Sequence, residues 1–235
     1  RFISYIDNVI VMSDQVKKEL LSISNECSYK KLFLPILNDL GEKIQREEAC
    51  KKLKIENNKI NLLFFGLIRD YKGLDVFLNA ISYLNVDIGN KINVIVAGEC
   101  YDKNINYKKI SKNSISKIYW YEKYIPDSEV NLYFSASDYV VLPYKTASQS
   151  GIIPMAYHYN LPVIISDLDS LLDNVIVNKT GFSFKNKDYK DLSKLITNII
   201  NDNSTYDFTN INEYKKKFTT KRFVNELIDT IKKND

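Results

Sequence analysis

Short apolar runs alternate with amphipathic segments along this chain of 235 residues. The apolar runs predict strands at 8–12, 60–65, 92–97, 118–121, 139–142 and 162–165. In the segments between them apolar residues recur at helical spacing, as at Leu74, Phe77 and Ile81. The predicted helices are 14–22, 45–53, 73–84, 105–112, 127–136, 151–159, 189–201 and 220–232.

This alternation predicts an α/β fold, a Rossmann-like parallel sheet with helices on both faces. The chain has only seven glycines, and Gly66, Gly98 and Gly151 each fall at a strand end or a helix start. Ligands of open α/β sheets bind outside the carboxyl ends of the strands, so glycines there indicate close approach of the backbone to a ligand. The alternative is that each glycine only makes a tight strand-to-helix turn.

Composition and charge narrow the class of ligand. Hydrophobic residues make up 45% of the chain and charged residues 26%, which is typical of a soluble globular protein. The net charge of +4 fits an anionic ligand or a peripheral membrane contact, and falls short of the clustered charge of a nucleic-acid binder. No apolar run approaches the roughly 18 residues of a membrane-spanning helix.

The cysteines and the histidine give little sign of metal chemistry. Cys27, Cys50 and Cys100 have neither the spacing of a metal site nor an obvious pairing, which predicts a reduced, cytoplasmic setting. The single histidine, His158, argues against a His-based metal centre. We expect His158 to pack within its helix rather than to catalyse.

The loop at 66–73 places two cations, Arg69 and Lys72, just beyond one strand and just before a helix. Arginine binds phosphate in a bidentate manner and lysine acts as a point charge, so the pair can stabilise a leaving diphosphate. The alternative is a solvated turn with ordinary surface charges.

A second polar segment, at 144–151, lies between a predicted buried strand and a helix. Ser148 and Ser150 can cap that helix, and Gly151 allows the backbone to come close to a ligand. Free amide groups at a helix N-terminus bind phosphate readily. A plain N-cap is the alternative for this segment.

Several nucleotide-binding signatures are absent. Neither GxGxxG nor GxxxxGK[ST] occurs, so neither a dinucleotide oxidoreductase nor a P-loop NTPase is supported. One Asp-x-Asp pair, Asp167 and Asp169, could bridge a diphosphate through a metal ion. It follows Ser166 late in the chain, and we interpret it as a turn or a helix cap.

A series of short motifs carries a family resemblance. They read FFGLIRDYKGLD, VAGE, YIPDSEV, VLPY, ASQSG, NLPVIIS and KTGF, at 64–75, 96–99, 124–130, 141–144, 147–151, 160–166 and 179–182. Over roughly residues 55–200 this series resembles the donor-binding C-terminal domain of retaining, metal-independent GT-B glycosyltransferases, the glycosyl transferases group 1. The order of the motifs is specific, while each motif alone is not. The resemblance implies the C-terminal half of a GT-B fold.

The resemblance also implies roles for individual residues. Lys72 matches the lysine that grips the donor diphosphate, and Arg69 is the second catalytic cation. Gly66 belongs to the same phosphate loop. The backbone at Tyr124 and Ile125 is expected to contact the nucleobase. Ser150 and Gly151 are expected to offer backbone amides to the diphosphate.

Two departures from the family pattern affect the predicted site. Leu67 stands where the family has an arginine, and Arg69 is the substitute. The paired glutamates that orient the donor sugar and hold the ribose are replaced by Ala147 and Met155, whose side chains accept no useful hydrogen bond. Ser148 or Gln149 is the candidate to take over part of that work.

The resemblance predicts three regions and one activity. Residues 1–40 are expected to be a remnant of the acceptor domain with its connector, 41–215 the donor domain, and 216–235 a helix that packs back toward the acceptor domain. The expected reaction is hexose transfer from a nucleoside diphosphate sugar to a glycan or lipid-linked acceptor, with retention and with neither a metal nor a cofactor. The fragment alone is expected to be inactive. A non-catalytic scaffolding subunit and a sugar-nucleotide epimerase remain as alternatives.

Overall fold

Six parallel strands form the central sheet in the order β5-β4-β3-β6-β7-β8, and β1 pairs with β2 in a separate parallel sheet. A computed structural model describes residues 5–25, 27–36, 40–102, 105–202 and 207–232. The parallel α/β prediction is confirmed. The strands are β1 Val9–Val11, β2 Tyr29–Lys31, β3 Ile60–Phe65, β4 Ile92–Ala97, β5 Lys117–Tyr121, β6 Tyr139–Leu142, β7 Val163–Ser166 and β8 Gly181–Phe184.

Helices cover both faces of the central sheet. Alternate residues of β3 point to opposite faces, so Leu63 packs in one hydrophobic cluster while Leu62 and Phe64 pack in the other. No helix in the described ranges is both long and apolar enough to cross a bilayer. The helices are α1 Asp14–Ile23, α2 Arg46–Leu53, α3 Leu74–Ser82, α4 Val86–Gly89, α5 Tyr107–Ile110, α6 Asp127–Ser135, α7 Ile152–His158, α8 Asp169–Leu172, α9 Tyr189–Asn201, α10 Asn210–Tyr214 and α11 Thr220–Lys232.

Several elements differ from the sequence prediction. Strands β2 and β8 were not predicted: β2 is only Tyr-Lys-Lys, and β8 begins with a glycine, so neither shows an apolar run. The short helices α4, α8 and α10 were missed for a similar reason, since four or five residues are too few to show helical periodicity. The predicted helix at 105–112 is α5 followed by a 3₁₀ turn at Ser111–Asn113.

The small sheet and α1 are bound to the segment just after α8 by an ion-pair cluster. Ser13 caps α1 by accepting from Val16 N–H. Lys31 Nζ lies 2.6 Å from Asp14 Oδ2 and 2.9 Å from Asp173 Oδ2, just beyond α8. The predicted division at residues 40 and 215 stays a prediction, and part of the predicted connector, 37–39, lies outside the described residues.

A buried polar network lies at the amino ends of β3 and β4. Asp138 Oδ2 accepts from Asn61 N–H at 2.7 Å and pairs with Arg46 Nη2 at 2.9 Å. Asn93 Nδ2 donates to Asn61 Oδ1 at 2.9 Å across the two strands. This network fixes the start of the strands far from their carboxyl ends.

The strand order creates a switch point between β3 and β6. From β3 the chain passes to β4 and β5 on one side, and then returns to β6 on the other side. The loops that follow β3 and β6 therefore leave the sheet side by side at its carboxyl edge. Such crevices are where open α/β sheets bind ligands.

Candidate donor site at the switch point

The loop after β3 is held in one conformation by its glycines and by the neighbouring β4 loop. Ile68 N–H donates to Glu99 O at 2.8 Å, and Tyr101 N–H donates to Ile68 O at 3.0 Å. A 3₁₀ turn at Asp70–Lys72 then leads into Gly73, whose φ of +67° is left-handed. A Cβ on Gly73 would lie 1.9 Å from Pro143 O, so only glycine fits between this loop and the loop after β6.

Lys72 occupies the centre of this arrangement. Its Nζ lies 5.7 Å from the ring centroid of Tyr144, and it would lie 3.0 Å from a Cβ built on Gly66. Burial, together with a smaller contribution from the nearby positive charge of Arg69, lowers the pKa of Lys72 to about 8. Within the described part of the chain, no carboxylate forms an ion pair with Lys72. A half-buried cation without an acid partner is suited to receive an anionic ligand.

Arg69 lies on the same loop but is exposed to solvent. Its guanidinium carbon is 5.3 Å from the ring centroid of Tyr101, whose hydroxyl donates to Glu99 Oε2 at 3.0 Å. The structure therefore places both predicted cations on the loop after β3, with Lys72 half-buried and Arg69 exposed.

The loop after β6 begins with the buried Tyr144, whose pKa is raised by burial. Ser150 is buried and its Oγ accepts from Ile152 N–H at 3.2 Å, so this serine binds the first residue of α7, while Gly151 holds the N-cap position. A Cβ built on Gly151 would meet no atom within 4 Å. The fold itself does not require glycine at 151, and the space beside it is open to a ligand.

Ser148 and Gln149 are exposed and line an open cleft of about 930 Å³. Across it stand Gln15 and Glu19, whose side chains are joined by a hydrogen bond of 2.9 Å. Arg69, Lys72, Tyr124 and Ile125 are not among the lining residues. The cleft is lined by Gln15, Glu19, Tyr71, Thr146, Ala147, Ser148, Gln149, Asp167, Leu168, Asp169 and Ser170.

The predicted nucleobase segment follows β5, two strands away from β3 in the sheet. Tyr124 is 66% exposed, whereas the Ile125 side chain is buried in the hydrophobic cluster that also contains Leu142 and Ile153. Ile125 thus fixes the path of the segment, and its main chain is the part available to a ligand. The structure does not bring Tyr124 into contact with Lys72 or Arg69.

The two positions that lack the family's glutamates are half-buried and apolar. Ala147 and Met155 both pack against the same hydrophobic cluster. Ala147 O accepts from Ser170 Oγ at 2.6 Å, which binds the loop after β6 to α8. Neither side chain offers a hydroxyl partner in the cleft, as their chemistry predicts.

The acidic pair after β7 serves local structure. Asp167 Oδ1 accepts from Asn186 N–H at 2.7 Å, and Asp169, the first residue of α8, lies 3.5 Å from Lys18 Nζ. Among the described residues, no group of three or more His, Cys, Asp or Glu side chains is close enough to hold a metal ion. The turn interpretation fits Asp167, but neither carboxylate caps α8, whose N-cap residue is Leu168 and has no side-chain cap hydrogen bond.

The remaining singled-out residues pack as structural groups. His158 Nε2 lies 2.8 Å from Gly41 O, and its ring meets Tyr159 edge-on at 4.7 Å. Cys27, Cys50 and Cys100 are free thiols. Burial raises the pKa of Cys50. Cys100 is exposed and its backbone forms a β-bridge with Ile68 of the loop after β3.

Sequence reasoning missed Lys145. Its Nζ lies 2.6 Å from Asp70 Oδ1 and 3.0 Å from Asp75 Oδ2, so it connects the loop after β6 with the loop after β3. Asp70 lies two positions before Lys72, and Asp75 lies three positions after it, so both charges are visible in the sequence. Their partner could not, because it is 70 residues or more away along the chain.

Comparison with known proteins identifies the family of this chain and two of its relatives. Residues 45–218 match the sequence profile of the family described as Glycosyl transferases group 1. An uncharacterized 41.2 kDa protein in the cps region of Klebsiella pneumoniae is 26% identical over 195 residues, which cover 83% of this chain and 51% of that protein. An uncharacterized glycosyltransferase of Methanocaldococcus jannaschii is 24% identical over 230 residues, covering 94% of this chain and 57% of that protein.

Solved structures share the fold at low sequence identity. Sucrose-phosphate synthase from Thermosynechococcus elongatus superposes with a TM-score of 0.80 at 17% identity, covering 97% of this chain and 58% of that one. Anabaena HepE in complex with UDP and glucose gives a TM-score of 0.79 at 14% identity, covering 96% and 63%. The match to one part of these larger chains confirms the GT-B half predicted for the fold. The chain spans about half the length of the curated relatives it matches.

Proposed function

Because this chain belongs to the glycosyl transferases group 1 family, we propose that it is the donor-binding half of a glycosyltransferase. The intact enzyme transfers a hexose from a nucleoside diphosphate sugar to a glycan or lipid-linked acceptor, with retention of the anomeric configuration. The observation that carries the proposal is Lys72, a half-buried ammonium at the switch point with no acid partner among the described residues.

The proposed chemistry is charge stabilisation of a leaving group. The bond between the anomeric carbon and the diphosphate oxygen breaks, and an acceptor hydroxyl oxygen bonds to that carbon on the same face. The hydroxyl proton passes to the departing diphosphate. Negative charge grows on the diphosphate as it leaves, and Lys72, Arg69 and the amides at Ser150–Gly151 face that charge. These residues supply the positive field, so the mechanism assigns no step to a metal ion or a cofactor.

The donor nucleotide lies along the carboxyl edge in this proposal. Its diphosphate reaches Lys72 and Gly66, and its base contacts the main chain at Tyr124 and Ile125. HepE, which shares the fold, was solved with UDP, and UDP is therefore the first nucleotide to test here.

We assign the donor-sugar contacts to Ser148 and Gln149, because both line the cleft while Ala147 and Met155 cannot accept a hydrogen bond. Ser148→Ala with Gln149→Ala is expected to weaken binding of the nucleotide sugar about tenfold and leave binding of the nucleoside diphosphate unchanged. Equal affinities of the wild type and the variant for the sugar nucleotide would remove both residues from the site.

The proposal extends to the whole protein. The chain spans about half the length of its curated relatives, and the acceptor is expected to bind to the other half. This chain alone should bind the donor and transfer little sugar. A cytoplasmic location fits the three free cysteines, and the basic surface allows a peripheral membrane contact.

A scaffolding subunit that needs no donor is the second candidate, favoured by the loss of both glutamates at Ala147 and Met155. Calorimetric titration of the protein with UDP, GDP and ADP separates the two. We expect one nucleotide to bind and the Arg69→Ala, Lys72→Ala double variant to lose it. The matched control is Lys91→Ala, an exposed lysine at the amino end of β4. The absence of binding by all three nucleotides to the intact protein would favour the scaffold.

A further inference from the structure

Lys145 forms ion pairs with both carboxylates that flank Lys72 in the sequence. Its ammonium lies 2.6 Å from Asp70 Oδ1 and 3.0 Å from Asp75 Oδ2. The Lys145 side chain is only 19% exposed, while that of Asp70 is 60% exposed. Asp75, at 25% exposure, is nearly as buried as Lys145, so these two form the half-buried part of the ion-pair triad and Asp70 is its exposed member.

The main chain already joins the two loops without the help of this ammonium. Lys145 N–H donates to Tyr71 O at 2.7 Å. Asn186 Nδ2 donates to Lys145 O at 3.0 Å. Gly73 packs so closely on Pro143 O that no side chain fits there. Because these contacts fix the loops, the Lys145 ion pairs are not needed to hold them together.

The triad instead determines the charge around Lys72. The charged and titratable groups on the elements packed against it are Arg69, Asp70 and Asp75 on its own side, Tyr144 and Lys145 after β6, and Glu99 after β4. Glu99 accepts from Tyr101, and Lys145 holds both aspartates. Lys72 is left facing Arg69 and the Tyr144 ring.

We infer that Lys145 is a positioning residue of the donor site, which holds the carboxylates of Asp70 and Asp75 away from Lys72 so that Lys72 meets the donor diphosphate without a competing internal acid. This inference rests on the proposed function. An unpaired Asp70 or Asp75 carboxylate would repel the diphosphate and attract the Lys72 ammonium, because both interactions strengthen as the charges approach in a partly buried site.

The test compares two ways of breaking the same triad. Lys145→Met frees both carboxylates, whereas Asp70→Asn with Asp75→Asn removes their charge and keeps Lys145. With UDP as the probe, Lys145→Met should weaken binding at least about tenfold, and the double asparagine variant should stay within about threefold of wild type. Adding both asparagines to Lys145→Met should restore the affinity, and Lys145→Arg should retain it. A purely structural triad would lose affinity equally in both arms, and this result would overturn the inference.

A second measurement does not depend on nucleotide binding. NMR titration of the Lys72 side chain should give a pKa near 8 in the wild type, a higher value in Lys145→Met, and a lower one again when both asparagines are added. An unchanged Lys72 pKa in folded Lys145→Met would overturn the inference. If the wild-type protein bound none of UDP, GDP and ADP while these pKa shifts occurred, the proposed function would fail and the charge arrangement would stand.

Discussion

The two ends of the central sheet differ in whether a half-buried charge has partners inside the fold. At the amino end, Asp138 accepts from Asn61 N–H and pairs with Arg46, so its half-buried carboxylate has both a donor and a cation. At the carboxyl end, Lys72 has no described acid partner, and Arg69 beside it carries the same sign of charge. Burial shifts the pKa of each toward the neutral form, upward for Asp138 and downward for Lys72. Only the amino end supplies groups that oppose the shift.

The difference separates a structural charge from a functional one. A buried ion with internal partners contributes to a single folded state, and removing one partner is costly. A buried ion without partners lowers stability and is retained where a ligand completes it. Charged groups thus stabilise the fold at the amino edge and serve the proposed chemistry at the carboxyl edge. Substitutions at the amino edge should change stability, and those at the carboxyl edge should change ligand binding.

The largest expected effect is on stability, at the amino edge. Arg46→Met leaves the half-buried Asp138 without a cation, and we expect the free energy of unfolding to fall by about 2 to 3 kcal/mol at neutral pH, at or below the lower end for a fully buried pair. Because the Asp138 pKa is already raised, the deficit should shrink as the pH falls and Asp138 is protonated. Denaturant unfolding at several pH values measures this. UDP affinity should not change.

The matched control for this edge is Arg46→Met combined with Asp138→Asn. Asparagine keeps an acceptor for Asn61 N–H and removes the unpaired charge, so much of the lost stability should return. No recovery in the double variant would mean that Arg46 acts through its bonds to the Asn57 and Lys59 carbonyls instead.

At the carboxyl edge, replacing a half-buried cation by methionine should raise the free energy of unfolding instead of lowering it. Lys72→Met removes a half-buried ammonium whose folded-state pKa is about 8 against an ordinary value of 10.5. The charged form is penalised at pH 7, so the variant should be more stable by about 1 to 3 kcal/mol. The gain should shrink as pH rises from 8 toward 10.5, where wild-type Lys72 is neutral in the folded state.

The cost of Lys72→Met should appear in ligand binding. Loss of a charge-assisted contact is expected to weaken UDP binding about 30-fold. Thermal unfolding and calorimetry on the same samples give both numbers, with Lys91→Met as the exposed control. A variant that is less stable than wild type would show that Lys72 has a partner inside the fold. The proposed difference between the two edges would then be wrong.

The central strands could be predicted from sequence because burial on both faces leaves a largely apolar run, which in β3 and β4 is interrupted only by Asn61 and Asn93. Strands β3, β4 and β6 were predicted with their observed bounds for this reason. Strand β2 could not be predicted, since its lysines are exposed and only pairing with β1 reveals it. Local pattern identifies elements whose burial is complete, and partners distant in the chain decide the others.

Local sequence pattern also identifies only part of the candidate site. Arg69, Lys72 and Gly151 could be proposed because each lies in a short motif beside a strand end or a helix start. The sequence could not show that Lys72 is half-buried without an acid partner, that Ser148 and Gln149 face a separate cleft, or that Lys145 binds Asp70 and Asp75. These facts depend on how two loops pack at the switch point, and no local pattern encodes that packing.

The smallest expected effect concerns Arg69, the exposed member of the cation pair. Arg69→Ala should weaken UDP binding only about threefold to fivefold, because an exposed charge is screened by solvent and salt. Its sharper signature is in the pH dependence. Protonated Lys72 is the form that binds diphosphate, so wild-type affinity should fall as pH rises through about 8. Arg69 helps to depress that pKa, so the fall should begin at a higher pH in the variant.

Salt separates the two cations further. Raising the ionic strength should diminish the contribution of exposed Arg69 more than that of half-buried Lys72, because screening acts mainly on solvent-exposed charges. Titration of wild type, Arg69→Ala and Lys72→Met across pH and salt tests this directly. A pH midpoint that stays fixed in Arg69→Ala would show that Arg69 does not act on Lys72. Burial alone would then set the Lys72 pKa, and the carboxyl edge would hold one isolated charge rather than a repelling pair.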